Sequence, residues 1–306
     1  MWLNRDLVSI GDLSKEEILE VLAKANSLLE YGKSGHPDLP LKGKIIATLF
    51  YEPSTRTRLS FESAAKRMGA EVLGFGSLES TSVAKGETLL DTVRIIDGYS
   101  DAIVLRHPSE GAARLASEYS EVPVINAGDG AGQHPTQTLL DIFTIWKEVG
   151  KVDDTTIGFV GDLKYGRTVH SLSKALSLFN VNLHFISPEQ LKLPKHIRKE
   201  IEKKVTVKEH KDLEEVIPKL DVLYVTRIQK ERFPDPEEYK KVAGTYVLRA
   251  STVSRGKRSM VIMHPLPRVD EIPFEIDNLP QARYFRQAAY GVPVRMALLD
   301  LILRGE

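Results

Sequence analysis

Several clusters of cationic, hydroxyl and amide side chains in this sequence directly follow short apolar runs. Tyr51-Glu52-Pro53-Ser54-Thr55-Arg56-Thr57-Arg58 comes after Lys44 to Phe50 and leads into a helix pattern. Three hydroxyls and two guanidinium groups at a helix start suit a phosphate. First-turn N–H groups lack helical partners, the helix dipole favours an anion, and arginine adds a two-pronged hydrogen bond. The bland alternative is an N-cap with a solvated basic turn, although a cap needs one hydroxyl. Arg106-His107-Pro108 follows Ala102 to Leu105, where a ligand-binding arginine and a salt-bridged edge arginine are both open readings. Val122 to Asn126 is followed by Ala127-Gly128-Asp129-Gly130-Ala131-Gly132-Gln133-His134-Pro135-Thr136-Gln137. Its glycines permit close backbone approach, and His134 and Gln137 stand one turn apart at the head of a helix. A flexible connection with a capping histidine explains the glycines but leaves the His/Gln pair as coincidence.

Gly161-Asp162-Leu163-Lys164-Tyr165-Gly166-Arg167-Thr168 lies between the run Thr156 to Val160 and a helix pattern. It nearly matches the phosphate-cradling loop G-x-x-x-x-G-K-[ST], with Arg167 where that loop has lysine. The planar arginine fork suits a carboxylate better than the point charge of lysine does. No apolar strand is expected to end in an Asp that would hold Mg²⁺, so nucleotide binding through Gly161 to Thr168 is the weaker reading. Thr226-Arg227-Ile228-Gln229-Lys230-Glu231-Arg232 and His264-Pro265-Leu266-Pro267-Arg268 follow two further apolar runs. Each taken alone reads as loop punctuation. Thr81-Ser82-Val83-Ala84-Lys85-Gly86-Glu87 reads as a solvated polar loop.

These clusters need a scaffold that gathers strand ends. Apolar runs at 44–50, 71–75, 102–105 and 122–126 alternate with helix patterns at Arg58 to Met68, Thr88 to Gly98 and Pro135 to Val149. A second series has runs at 156–160, 182–186, 222–225 and 260–263, with a helix pattern at Thr168 to Phe179. This alternation predicts parallel α/β sheets, whose ligands bind at the carboxyl ends of the strands. Gly150 and the polar Lys151 to Thr155 place a junction near residue 150. Tyr284 to Leu303 is expected to be an amphipathic helix whose apolar face (Val294, Leu298, Leu299, Leu301, Ile302) needs a partner.

The chain of 306 residues is long enough for two domains. Its 42 basic and 42 acidic residues balance, which argues against nucleic acid or an anionic membrane as partner. The absence of cysteine removes disulfides, thiolate metal sites and a cysteine nucleophile. No signal-like apolar start and no run of about 18 apolar residues is seen, so the expected compartment is the cytoplasm. No carboxylate pair, metal cluster or hydroxyl–base pair stands out. Catalysis by positioning and charge stabilisation is therefore expected.

Ser54-Thr-Arg-Thr-Arg58, Arg106-His-Pro108, His134-Pro-x-Gln137, Gly166-Arg-Thr168, Thr226-Arg-Ile-Gln229 and His264-Pro-Leu-Pro-Arg268 together resemble the carbamoyltransferases in order and spacing, over nearly the whole chain. Pro265, where ornithine enzymes typically carry cysteine, and the Thr226 to Arg232 run are similar to the aspartate branch. Arg167 and Arg227 suit a dicarboxylate. The resemblance implies an α/β fold of two domains, each a parallel sheet flanked by helices. The active site would lie at the strand C-terminal ends in the interdomain cleft. Residues 1–150, completed by a C-terminal helix at 287–306, would bind carbamoyl phosphate, and 151–286 would bind aspartate. Ser54, Thr55, Arg56 and Thr57 would hold the phosphate; Thr57, Arg106 and His134 would polarise the carbonyl. Gln137 and the carbonyls of Pro265 and Leu266 would orient the carbamoyl amide. Arg167 would take the α-carboxylate of aspartate and Arg227 and Gln229 its side-chain carboxylate, with Lys85, Thr168 and Pro267 also among the aspartate-binding residues. Ser82 and Lys85 would reach a neighbouring subunit's site in a homotrimer, and a regulatory chain in an allosteric holoenzyme is left open. No metal or cofactor is implied. The product would be carbamoyl-aspartate on the route to pyrimidines; ornithine or another acceptor is the alternative in the same class.

Overall fold

The computed structural model describes residues 2–76, 81–229, 233, 235–242 and 244–305. The chain divides into two compact units, Met1–Leu140 with Ala289–Glu306, and Asp141–Ala288.

In the first unit, strands β1 (Ile45–Phe50), β2 (Glu71–Phe75), β3 (Ala102–His107) and β4 (Val124–Asp129) form a parallel sheet in the order β2-β1-β3-β4. The run Ile45–Phe50 is buried almost throughout rather than on alternate residues. A parallel strand covered by helices on both faces requires that. Helices α1 (Lys15–Ser27), α2 (Tyr31–Ser34), α3 (Thr55–Arg67), α4 (Leu89–Asp97), α5 (Ala112–Tyr119) and the start of α6 (Pro135–Val149) accompany the strands. Ser14 and Glu17 form a capping box that starts α1. One face of the sheet packs Ala47, Leu49, Ile103, Leu105 and Val124 with Val93, Ala113 and Ala116.

The second unit has five parallel strands, β5 (Thr155–Val160), β6 (Val181–Ile186), β7 (Thr206–His210), β8 (Val222–Val225) and β9 (Val261–Met263), in the order β7-β6-β5-β8-β9. Helices α7 (Arg167–Leu176), α8 (Lys195–Ile201), α9 (Pro236–Val242), α10 (Ala250–Val253) and the start of α11 (Tyr284–Arg304) belong to it. The two parallel sheets agree with the expected fold class.

The elements differ from the expectation at three places. β7 was not expected, because Thr-Val-Lys-Glu-His is an edge strand with little apolar content. β3 and β4 run two and three residues further than their apolar runs, so Arg106 lies within a strand and β4 ends in Asp129. The expectation that no apolar strand ends in Asp therefore fails at β4. α11 is not one-sided either: residues 293–303 are buried on every face, including Arg295 and Asp300. Asp300 answers Lys24 of α1 at 2.6 Å and Arg304 at 3.2 Å, and Arg295 lies 4.9 Å from the Phe61 ring of α3. A helix buried all round needs such partners for its charges.

Candidate active site

In the first unit the loop Tyr51–Ser54 joins β1 to α3. Ser54 has extended backbone, but its hydroxyl makes no capping bond to α3. The bland reading of this cluster as an ordinary N-cap is thus not realised. Thr57 is buried in the first turn, Arg56 is exposed, and Arg58 turns back to Glu62 (2.6 Å). Arg106 is almost enclosed. Its Nη2 lies 2.8 Å from Glu52 Oε2, and its Nη1 donates to the Ala127 carbonyl (3.2 Å). One guanidinium thereby ties the ends of three strands, β1, β3 and β4.

The loop from β4 to α6 is tightly built rather than flexible. Asp129 accepts from Gln133 N (2.7 Å), Asn126 Nδ2 (3.1 Å) and Gly111 N (2.8 Å). With its carboxylate engaged this way, Asp129 acts as a loop organiser rather than as a metal ligand. Gly130 has φ 48°, and a Cβ there would come within 2.6 Å of the Pro108 carbonyl oxygen. Glycine is what lets this loop pack on the turn after Arg106. His134 is buried at the head of α6, where its carbonyl accepts from Gln137 N and Thr138 N, and Pro135 opens the helix. Gln137 is half-buried one turn on. Ser82 and Lys85 sit on an exposed 3-10 turn, Ser82–Lys85. Behind it, Thr92 Oγ1 donates to Glu87 Oε1 (2.7 Å), and Thr88 caps α4. No hydrogen bond or ion pair joins Ser82 or Lys85 to the other candidates within this chain.

In the second unit the strand ends are organised by buried acids. Asp162, fully buried after β5, accepts from Tyr165 N (2.9 Å), from Lys164 N and from Gln229 N (3.3 Å). Burial pushes its pKa up, and the amide bonds pull the other way. Gln229 Nε2 also donates to the Tyr165 carbonyl (3.4 Å). The loops after β5 and β8 are in this way tied together, the first leading into Arg167 and Thr168 and the second carrying Arg227 and Gln229. A Cβ on Gly161 (φ 118°) would run into the Thr226 carbonyl oxygen, so this glycine serves strand contact. Asp162 already takes two amides that a phosphate-cradling loop would present, which counts against nucleotide binding by Gly161 to Thr168. Lys230, Glu231 and Arg232 lie outside the described residues.

After β9, His264 N donates to Gln287 Oε1 (2.8 Å), and Gln287 Nε2 donates to the buried Asp141 (2.6 Å). Asp141 also accepts from the Tyr224 hydroxyl (2.8 Å). Pro265 and Leu266 are half-buried and Pro267 is exposed. Glu52, Asp129, Asp162 and Glu271 were not singled out as functional candidates from sequence. Asp162 carried a usable signal, an acid directly after a buried strand. Among the described residues no group of three or more His, Asp or Glu could hold a metal ion. No helix among them is long and apolar enough to cross a membrane.

The fold and these strand ends define a two-unit α/β protein with a cation-bearing helix start in each unit. The chain belongs to the aspartate/ornithine carbamoyltransferase family. The family's carbamoyl-P binding domain matches residues 5–147, and its Asp/Orn binding domain matches residues 153–302. The aspartate carbamoyltransferase catalytic subunit of Methanocaldococcus jannaschii is 60% identical over 98% of both chains. A structure of the M. jannaschii aspartate transcarbamoylase catalytic subunit superposes with a TM-score of 0.91 at 58% identity, covering 99% of each chain. Aspartate transcarbamoylase from Trypanosoma cruzi, solved with carbamoyl phosphate and aspartate, gives 0.94 at 39% identity over 99% of this chain and 98% of its own.

Proposed function

We propose that the chain transfers the carbamoyl group of carbamoyl phosphate to the amine of L-aspartate, releasing N-carbamoyl-L-aspartate and phosphate. The observation that carries this reading is the division of cations. The first unit gathers Ser54–Thr57 and Arg106 around a helix start, and the second links the loops bearing Arg167 and Arg227 through Asp162. The bound ligands named for the T. cruzi enzyme support the same pair of substrates.

Ser54, Thr55, Arg56 and Thr57 take the phosphate. A hydrogen bond to a charged group contributes about 1.5–3 kcal/mol, against about 0.3–1 for an exposed helix-start dipole, so the arginines dominate affinity. Arg106 bridges phosphate and carbamoyl oxygen, Thr57, Arg106 and His134 polarise the carbonyl, and Gln137 with the carbonyls of Pro265 and Leu266 orients the amide. Arg167, with Thr168 and Pro267, takes the α-carboxylate side, and Arg227 and Gln229 the side-chain carboxylate. The neutral amine attacks the carbonyl carbon, the C–O bond to phosphate breaks, and the departing phosphate takes the amine proton. Positioning and charge stabilisation supply the rate. If His134→Ala abolished the acidic limb of the pH–rate profile, His134 and not phosphate would be the proton acceptor.

Lys85, exposed and without a hydrogen bond or ion pair among the described residues, completes the site of a neighbouring copy in a homotrimer, with Ser82 beside it. Mixing inactive Lys85→Ala and Arg167→Ala chains is expected to restore activity in hybrid assemblies; no restoration would mean each chain works alone. The family's ornithine branch is separated by product. Carbamoyl-aspartate is expected and citrulline is not, and a bisubstrate analogue joining a phosphonate to aspartate should bind far more tightly than phosphate. Binding no tighter than phosphate would overturn the assignment.

A further inference from the structure

His-Pro occurs four times in the chain, and three copies share a local device. The imidazole Nδ1 accepts the backbone N–H two residues on: Asp38 to His36 (3.2 Å), Ser109 to His107 (3.0 Å) and Leu266 to His264 (2.8 Å). Proline supplies no N–H, so the next amide is the first available donor. His264 differs from the other two in what holds its second nitrogen. Its Nε2 lies 2.7 Å from Glu271 Oε1, and both side chains are buried.

The tautomer follows from the partners. Burial would raise the Glu271 pKa, but the His264 hydrogen bond and the Val269 amide outweigh it and hold the carboxyl below its usual range. Glu271 is thus an ionised acceptor, taking the amides of Val269 and Asp270 as well. Burial lowers the His264 pKa, against the pull of the carboxylate beside it. The carboxylate has no proton to give, so Nε2 carries the hydrogen and Nδ1 is the bare nitrogen that Leu266 N–H can reach. The opposite tautomer would set two N–H groups against each other. Leu266 itself has φ 55°, a left-handed conformation that a residue with a Cβ adopts only when its surroundings enforce it.

We infer that Glu271 and His264 are a positioning pair for the transfer: Glu271 selects the imidazole tautomer, and His264 then holds Leu266 left-handed, which aims the carbonyls of Pro265 and Leu266. The root of the same turn is fixed separately, by Gln287 on His264 N and by Asp141 on Gln287. This inference rests on the proposed role of those two carbonyls as acceptors for the carbamoyl amide. Neither His264 nor Glu271 touches substrate.

Two isosteres separate positioning from mere packing. Asparagine at 264 places an oxygen near Nδ1 and can keep the Leu266 bond, whereas glutamine reaches toward Glu271 and cannot. His264→Gln is expected to lower kcat/KM for carbamoyl phosphate by about 10²-fold, the scale for an ångström of misplacement. His264→Asn should stay within about tenfold of the unaltered enzyme, the worth of roughly one hydrogen bond. Inorganic phosphate should bind both variants as it binds the unaltered chain. Equal losses in the two, or loss in Asn alone, would overturn the pair. Should either variant fail to fold, the nitrogen-15 spectrum of His264 in the unaltered holoenzyme still decides. A protonated Nε2 and bare Nδ1 between about pH 6 and about pH 8 are expected, and a protonated Nδ1 there would refute the inference. If the unaltered enzyme makes no carbamoyl-aspartate, the proposed function fails, and this inference with it.

Discussion

The two units hold their candidate groups by opposite means. In the first, functional side chains lie on regular elements: Arg106 in β3, Thr57 in the first turn of α3, His134 at the head of α6. In the second, Arg167 and Thr168 open α7, but Arg227, Gln229, Pro265 and Leu266 lie on loops, and buried acids that touch no substrate in the proposed mechanism hold those loops in place. An arginine on a strand needs little support beyond the sheet. An arginine or carbonyl on a loop needs a network, and every member must be satisfied or the loop relaxes.

If this contrast is right, the largest single loss comes from the first unit. Arg106→Ala should reduce kcat/KM by at least about 10³-fold, because it removes phosphate and oxyanion contacts together. Phosphate affinity, measured by calorimetry, should fall with it. Unchanged phosphate binding would move Arg106 out of the site.

Asp162→Ala tests the second unit. It frees the amides of Tyr165 and Gln229, and KM for aspartate should rise about 10–100-fold while phosphate affinity stays the same. A matching loss of phosphate affinity would show that the two half-sites are not separately built.

Glu52→Gln has a smaller expected effect and sharpens the comparison within the first unit. Glu52 competes with phosphate for Arg106, so the variant should bind phosphate several-fold more tightly, one exposed-to-intermediate ion pair being worth up to about 1 kcal/mol. Weaker binding would mean that Glu52 aims the guanidinium instead.

The smallest effect concerns stability. His184 and His210 stack on β6 and β7, with 2.9 Å between Nδ1 and Nε2. Burial first, and His210 second, bring His184 down from 6.5 to about 4. A base with a depressed folded pKa stabilises the fold above its unfolded value. That stability drains as pH falls from 6.5 toward about 4. Urea unfolding of His184→Asn should show a weaker pH dependence over that interval than the unaltered chain. An identical dependence would assign the effect elsewhere.

Much of the first unit's candidate site was proposed from sequence, because hydroxyls and arginines bunched after an apolar run have few uses. What stayed hidden were the acids. Asp162, Glu271 and Asp129 act through backbone amides, and an amide leaves no mark in the sequence that an acid is waiting for it. The strand ends were misjudged for a related reason. Arg106, His107, Gly128 and Asp129 continue β3 and β4 although their side chains give no apolar signal, because the ladder is closed by backbone groups. β7 was invisible because an edge strand can be largely polar. Lys85 could not be judged within one chain, since no described residue of its own chain pairs with it.

The chain's last helix sets an order of synthesis. Val294, Met296, Leu298, Leu299, Leu301 and Ile302 fill the core of the unit that begins at the amino terminus, and Asn4 N donates to the Ile302 carbonyl. On the ribosome, the second unit is contiguous and complete once residue 288 has emerged. The first must wait, with its helices translated but its core open, until α11 leaves the exit tunnel. A stop codon directly after residue 288 would therefore spare the later-made unit and leave the earlier-made one without its centre.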